Sequence, residues 1–344
     1  MQKLASNAAA IVAPGRGILA ADESSGTIKK RFDSINAEST EENRLTYREM
    51  LFRTKGASEF ISGVILYDET IRQNSAQDGT PLVKVLQDQG IMPGIKVDRS
   101  TNPLAGSSGE LITDGLDGLR DRLAEYYQIG ARFTKWRAVI TIGDDIPTSY
   151  CIETNAHLLA RFAALSQEAN LVPIVEPEVL MDGDHNIDRC FAVTEATLRE
   201  TFAQLGRQGV DLEGSLLKPN MVLSGKDAPS RASAEEVAEK TITCFSRAVP
   251  AAVPGVVFLS GGQSDEEATI NLNAINQRAA KVGVPWQMSF SYGRGLQAAP
   301  LKAWGGQPGN LEKASRAYYH RARVTGAARR GEYSPAMERV VAAD

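Results

Sequence analysis

The chain reads as an α/β protein, a closed (β/α)8 barrel of the TIM type, and three observations predict it. Eight short apolar runs alternate with helical patterns along the chain, with no long break in composition between them. Acids and lysines stand where most of those runs end, and the carboxyl ends of barrel strands are where such a fold collects its chemistry. With 344 residues, 42% hydrophobic and 23% charged, the chain can bury a large core as one catalytic domain spanning 1–344, with a short tail from about 334. A doubly wound open sheet is the alternative.

The elements follow in order. An alanine-rich helix over Leu4 to Val12 is stopped by Pro14 and Gly15, and Gly17 to Asp22 (GILAAD) forms the first strand, with Asp22 at its carboxyl end. ESSGTIKKRF then places the hydroxyls of Ser24, Ser25 and Thr27 on a glycine turn ahead of Lys29, Lys30 and Arg31, a turn suited to a phosphate or to a helix cap. Thr40 as N-cap, with Glu41 and Glu42 behind it, starts the next helix, and Phe60 to Glu69 is the second strand. A helix ending at Gly90 leads to the third strand, MPGIKVD, with Lys96 and Asp98 at its far end. Leu116, Leu119, Leu123 and Tyr126 or Tyr127 recur at helical spacing before the fourth strand, FTKWRAVI, which carries Lys135 and Arg137. A helix over 155–169 precedes the fifth strand, Val172 to Val179, with Glu176 and Glu178. Further helices then separate a sixth strand ending at Lys218, a seventh ending in SGG (Ser260, Gly261, Gly262) and an eighth ending in SYGR (Ser291 to Arg294, with Gly293 between).

Composition excludes several classes. A net charge of −4 and the absence of any Lys/Arg run give no field for nucleic acid, so an anion site has to be local. No apolar stretch approaches the ~18 residues of a membrane helix, and no targeting segment is read at the start, which predicts a cytoplasmic protein with no membrane partner. Cys151, Cys190 and Cys244 are odd in number and widely spaced, as reduced thiols are.

Lys218 is the residue around which the rest is organised. It follows Leu216 and Leu217 and precedes Pro219, which places it at a strand tip facing partly into protein. A lysine nucleophile needs its pKa lowered by about 3 units from ~10.4, and desolvation or a second cation supplies that. One unit charge at ~4 Å, at an effective dielectric of ~20, contributes about 4 kcal/mol, so Lys135 beside Lys218 would suffice. Because residues two apart share a face, Lys135 with Arg137 and Glu176 with Glu178 converge on the mouth. The competing reading is a ring of structural ion pairs.

GILAADES, GIKVD, KWR, VEPE, LLKPN, FLSGGQS and FSYGR, in that order, resemble the class I fructose-1,6-bisphosphate aldolase family, over Gly15 to about Tyr333. The resemblance implies that Lys218 forms a Schiff base with the substrate ketone, with Glu176 as acid and base and Glu178 its neighbour. It implies Asp22 at the C4 hydroxyl and Lys135 as the tuning cation. It also implies one phosphate at Ser260, Gly261, Gly262, Ser291, Gly293 and Arg294, and another at Arg31 and Lys96 with Ser24 and Thr27. Arg137 joins this set of substrate-binding residues. No metal or cofactor is implied, and family members are commonly homotetramers acting on a sugar bisphosphate. The chain departs from the family at Thr27, where serine is common, and in its tail, PAMERVVAAD, which lacks the terminal tyrosine of many relatives.

Rival readings are weaker. GRGILA and GRGLQA fit G-x-G-x-x-A, but the first leads into a strand and the second has no strand after it, against a nicotinamide dehydrogenase. His157, His185 and His320 are scattered, against a metal-dependent aldolase. DGDHNID has Ile187 where a calcium loop requires glycine. A scaffold or binding protein on the same fold is the non-enzymatic alternative.

Overall fold

Strands here carry apolar residues on both faces, and that pattern closes them into a barrel wrapped by helices. The computed structural model describes residues 2–339. Its first half runs α1 (Gln2–Ile11), β1 (Gly17–Ala21), α2 (Ser25–Asp33), α3 (Glu41–Arg53), β2 (Ile61–Leu66), α4 (Asp68–Ile71), α5 (Leu82–Gln87) and β3 (Met92–Lys96). An antiparallel hairpin, β4 (Thr101–Pro103) and β5 (Leu111–Thr113), precedes α6 (Leu119–Ile129), β6 (Phe133–Ile140), α7 (Ser149–Glu168) and β7 (Val172–Val179). The remainder is α8 (Ile187–Arg207), β8 (Leu216–Leu217), α9 (Ala234–Ala248), β9 (Gly255–Phe258), α10 (Asp265–Val282), β10 (Gln287–Tyr292), α11 (Arg294–Trp304) and α12 (Leu311–Arg329).

Eight parallel strands close in the order β1-β10-β9-β8-β7-β6-β3-β2, so the predicted (β/α)8 barrel is the fold observed. β6 and β7 have the bounds read from the sequence and pair along their whole length, from Phe133 opposite Val172 to Ile140 opposite Val179. The second strand is shorter than expected: it ends at Leu66, and Asp68 and Glu69 open α4 instead, where acids suit a helix start. The hairpin was not anticipated. β4 is exposed and β5 only partly buried, so neither leaves an apolar signature.

Helix starts follow local chemistry. The side chain of Thr40 accepts from the Asn43 N–H as predicted, and Thr148, Asn186, Ser233 and Ser264 cap α7, α8, α9 and α10 in the same way. Asn186 belongs to the DGDHNID segment, which here serves as a helix cap.

The period of two along each strand stacks the barrel interior in layers. Ile18 and Ala20 of β1, Phe133 of β6, Val172 and Ile174 of β7, and Leu216 of β8 form one buried cluster inside the barrel, closed underneath by Leu4, Ala8 and Ile11 of α1. Phe133 fits because β3 offers Gly94 beside it: a Cβ there would lie 2.2 Å from the ring. Two residues further along the same strands, on the same face, come Asp22, Lys135, Glu176 and Lys218. The layer above the apolar plug is therefore ionic, by strand geometry alone.

After α12 the chain turns back along the groove between α10 and α12. The Tyr333 N–H donates to Asn273 Oδ1 (3.0 Å), and Glu338 pairs with Arg321 at 2.8 Å and accepts from the Tyr333 hydroxyl at 3.1 Å. The rest of the predicted tail, 340–344, lies outside the described residues.

Candidate active site

β8 is two residues long, and its shortness positions Lys218. The Lys218 N–H donates to the Val175 carbonyl (2.8 Å), and the next carbonyl, of Pro219, accepts from Leu259 N–H (3.1 Å). Proline has no N–H of its own, so the ladder toward β7 stops there. The Lys218 side chain is 5% exposed and its Nζ lies 3.2 Å from Glu176 Oε1.

Lys135 occupies the centre. Its Nζ is 2.7 Å from Asp22 Oδ2, 3.4 Å from Glu176 Oε2 and 3.8 Å from Asp98 Oδ2. Lys96, on the strand beside β6, pairs with Asp98. Three lysines and three carboxylates thus meet at the mouth. Burial disfavours the Lys135 ammonium, but Asp22, Glu176 and Asp98 outweigh it and hold the group protonated, above the ordinary lysine range. Burial likewise pushes Asp22 upward, yet Lys135, Lys218 and Lys96 win and keep its carboxyl well below the usual range. Glu176 Oε2 is buried with no hydrogen-bond partner among the described residues, and the cation nearest it in this cluster is Lys135.

These shifts predict a pH dependence. Asp22 is depressed, so its stabilising contribution is present above about pH 3.9 and is lost as pH falls through its lower folded value. Lys135 is raised, so its contribution is full below about pH 10.4 and is lost only at higher pH. Denaturant unfolding of Asp22→Asn beside the unmodified chain is expected to show a deficit at neutral pH that closes as the pH drops below about 4.

Arg137 and Glu178 pair beside this centre, and the Arg137 N–H donates to Asp98 Oδ2 (3.1 Å). Burial works against the Arg137 cation, but Glu178 more than compensates and raises it. Glu178 in turn borders the loop after β9: a Cβ on Gly261 would sit 3.0 Å from its Oε1. Gly262 has φ +76°, and a Cβ there would lie 2.3 Å from Met181 Cβ, so only glycine fits this turn.

Ser260, Ser291, Gly293 and Arg294 come together where β9 and β10 end. The Gly295 N–H, in the first turn of α11, donates to Ser260 Oγ (3.3 Å), and Ser291 Oγ is buried without a partner among the described residues. Gly293 caps α11 with no side chain, which leaves that helix N-terminus open to an anion.

The structure regroups one predicted set. Arg31 was expected with Lys96, but its Nη2 lies 3.5 Å from where a Gly293 Cβ would be, and with Arg294 it lines a cavity of about 350 Å³. The reason is topological: β1 is hydrogen-bonded to β10, so α2, which follows β1, stands beside the β10 loop. Ser24 is the N-cap position of α2 and Thr27 lies in its first turn, with hydroxyls 3.2 Å apart and no capping bond from Ser24.

Four contributors escaped the sequence reading as site residues. Asp98 links Lys96, Lys135 and the Arg137 backbone. Glu23, adjacent to Asp22 but on the opposite face, holds Arg31 and accepts from Gln297 Nε2 (2.8 Å). Arg48, 1% exposed, donates to the Glu23 carbonyl (2.7 Å). The position of Asp98 two residues after Lys96 was the available signal; for Glu23, Arg48 and Gln297 there was none.

The three cysteines are free and buried. The histidines are dispersed, with His157 on α7 beside Gln204, His185 in a loop and His320 on α12. No helix among the described residues is long and apolar enough to cross a membrane.

A parallel barrel with a cluster of buried ionisable groups at its carboxyl mouth has the build of a barrel enzyme. The family model for fructose-bisphosphate aldolase class-I matches residues 3–344. A probable fructose-bisphosphate aldolase class 1 of Xanthomonas campestris is 57% identical over 334 residues, covering 97% of this chain and 99% of the relative. The cytosolic fructose-bisphosphate aldolase 4 of Arabidopsis thaliana is 54% identical over 331 residues, covering 96% and 84%. Among solved structures, the Plasmodium falciparum fructose-bisphosphate aldolase, in complex with TRAP and a small-molecule inhibitor, superposes with a TM-score of 0.94 at 48% identity, over 97% of this chain and 95% of that one. The chain belongs to the class-I fructose-bisphosphate aldolase family, lyases of the metal-independent type.

Proposed function

We propose that the chain reversibly cleaves fructose 1,6-bisphosphate to dihydroxyacetone phosphate and glyceraldehyde 3-phosphate through a Schiff base on Lys218, with no metal or other cofactor. The observation that carries this reading is the buried Lys218 Nζ 3.2 Å from Glu176 Oε1. The Lys218 amine adds to the C2 ketone, and Glu176 protonates the departing hydroxyl of the carbinolamine so that water leaves and an iminium forms. Asp22, held ionised, takes the C4 hydroxyl proton as the bond between C3 and C4 breaks and its electron pair enters the iminium as an enamine. Protonation at C3 and hydrolysis release the triose phosphate and restore Lys218. Lys135 neutralises Asp22 and Glu176 throughout, and Arg137 keeps Glu178 oriented.

For the phosphates, the open end of α11 with Ser260, Gly261, Gly262, Ser291, Gly293 and Arg294 receives one, with Arg31 beside it. Lys96, Ser24 and Thr27 serve the other. The whole chain acts as one catalytic domain with a short tail, in glycolysis and gluconeogenesis. A cytoplasmic setting is supported by the names of cytosolic relatives, and a homotetramer is the assembly implied by the family.

A coupled cleavage assay on fructose 1,6-bisphosphate tests the reading, and absence of cleavage would sink it. In that assay Glu176→Gln is expected to slow Schiff-base formation by roughly 10²-fold or more with substrate affinity nearly intact, the scale of a lost acid or base. If KM alone moved, Glu176 would be a binding group. Arg294→Ala is expected to raise KM through loss of a charge-assisted contact worth about 1.5 to 3 kcal/mol. An unchanged KM would remove Arg294 from the phosphate site.

A further inference from the structure

A second concavity lies outside the barrel mouth. A cleft of about 890 Å³ separates α3 from α12, within the size range of small-molecule sites. The chain carries a net charge of −4, yet four cations and only two carboxylates line this cleft. Both carboxylates are already engaged: Glu49 by Arg53, Ser75 and the Ala76 N–H, and Glu312 by Arg316. Lys55 and Arg323 make no ion pair among the described residues, so two positive charges face the cleft uncompensated. Its apolar wall includes the ring of Tyr319, close to Gly56, where a Cβ would come within 2.9 Å of Cε2, and backed edge-on by Phe60 at 5.9 Å between centroids. Ser315 adds a hydroxyl that already bridges to Thr54 across the two helices at 2.9 Å.

We propose that this cleft binds a phosphate monoester with a flat aromatic body, the dianion seated between Lys55 and Arg323 and the ring against Tyr319. Two unpaired cations match a dianion better than a single carboxylate, and arginine supplies forked donors suited to phosphate oxygens. The aromatic body follows from the half-buried Tyr319 ring lining the cleft, against which a planar group can pack. The occupied face of α3 is the reverse of the one carrying Arg48, so the ligand would sit behind the Arg48, Glu23 and Arg31 chain without entering the barrel.

Phenyl phosphate is the probe. Calorimetric titration of the full chain is expected to show binding that Lys55→Ala and Arg323→Ala each weaken about tenfold, the usual worth of a charge-assisted contact. Arg294→Ala should leave that binding unchanged. Hydrogen exchange should slow at α3 and α12 when the probe is present, and inorganic phosphate should bind more weakly than the ester. Lys55 is exposed, so its variant keeps the test open even if Arg323→Ala fails to fold. No binding, or binding lost only in Arg294→Ala, would overturn the proposal, the second because the probe would then occupy the barrel mouth. Equal affinity for inorganic phosphate would remove the aromatic component and overturn it. A change of sedimenting mass in the Lys55 or Arg323 variants would assign the cleft to a second copy of the chain and overturn it as well. None of these outcomes depends on cleavage activity.

Discussion

Lys218→Ala is expected to abolish both cleavage and the adduct that borohydride traps from dihydroxyacetone phosphate. As the proposed nucleophile Lys218 would carry the covalent intermediate, and losses on the order of 10⁴-fold or more accompany removal of such a group. Mass spectrometry of the reduced protein should place the adduct on the peptide containing Lys218. An adduct on Lys96 or Lys135 would overturn the assignment, even though both lie in the same ionic cluster. The substitution is small in packing terms but removes one partner of the buried Glu176 carboxylate. Lys218→Met is therefore the companion variant: equal loss of adduct with retained folding would separate chemistry from structure.

Lys135→Met is expected to damage stability and rate together. It takes the central cation from Asp22, Glu176 and Asp98, which would then face one another across the mouth. Breaking a buried ion pair by removing one side costs about 3 to 5 kcal/mol, because the surviving charge is left uncompensated. A denaturant midpoint lowered to match is the first readout. A fall in turnover of roughly 10²-fold or more is the second, the scale of removing one preorganised electrostatic contact. A Lys135→Met protein of normal stability would mean that the three carboxylates are neutralised in another way, and the ionic cluster would need redrawing.

The barrel and its charged rim were legible because the strands announce both. β6 and β7 are largely apolar runs whose only charged residues are Lys135, Arg137, Glu176 and Glu178, so these four stand out against their neighbours. Lys218 was legible for the opposite reason: β8 is almost too short to notice, but Pro219 marks where it must end. What the sequence concealed depends on contacts between distant segments. Six consecutive residues of α3, Tyr47 to Phe52, are buried, so no periodicity singled out Arg48 as a charge aimed at Glu23. The regrouping of Arg31 with Arg294 follows from barrel closure, which brings the first strand beside the last. A local pattern carries no trace of that neighbourhood. The cleft between α3 and α12 is hidden in the same way, since its lining comes from segments far apart in the chain, as the Thr54 to Ser315 contact, 261 residues apart, illustrates.

The layering of the barrel interior also limits how the chain can change length. In β8, Leu216 faces the apolar plug, and the residue two positions on, Lys218, faces the mouth. A deletion of one residue within this strand would turn Leu217 toward the mouth and Lys218 outward into the helices, exchanging a core side chain for the proposed nucleophile in one step. The same holds for β6 and β7, whose register fixes Lys135 opposite Ile174 and Arg137 opposite Glu176. Insertions and deletions that preserve the chemistry are therefore confined to the connecting loops. Within these strands, single-residue length changes should be absent from any pool of functional variants, however tolerant the individual positions are to substitution.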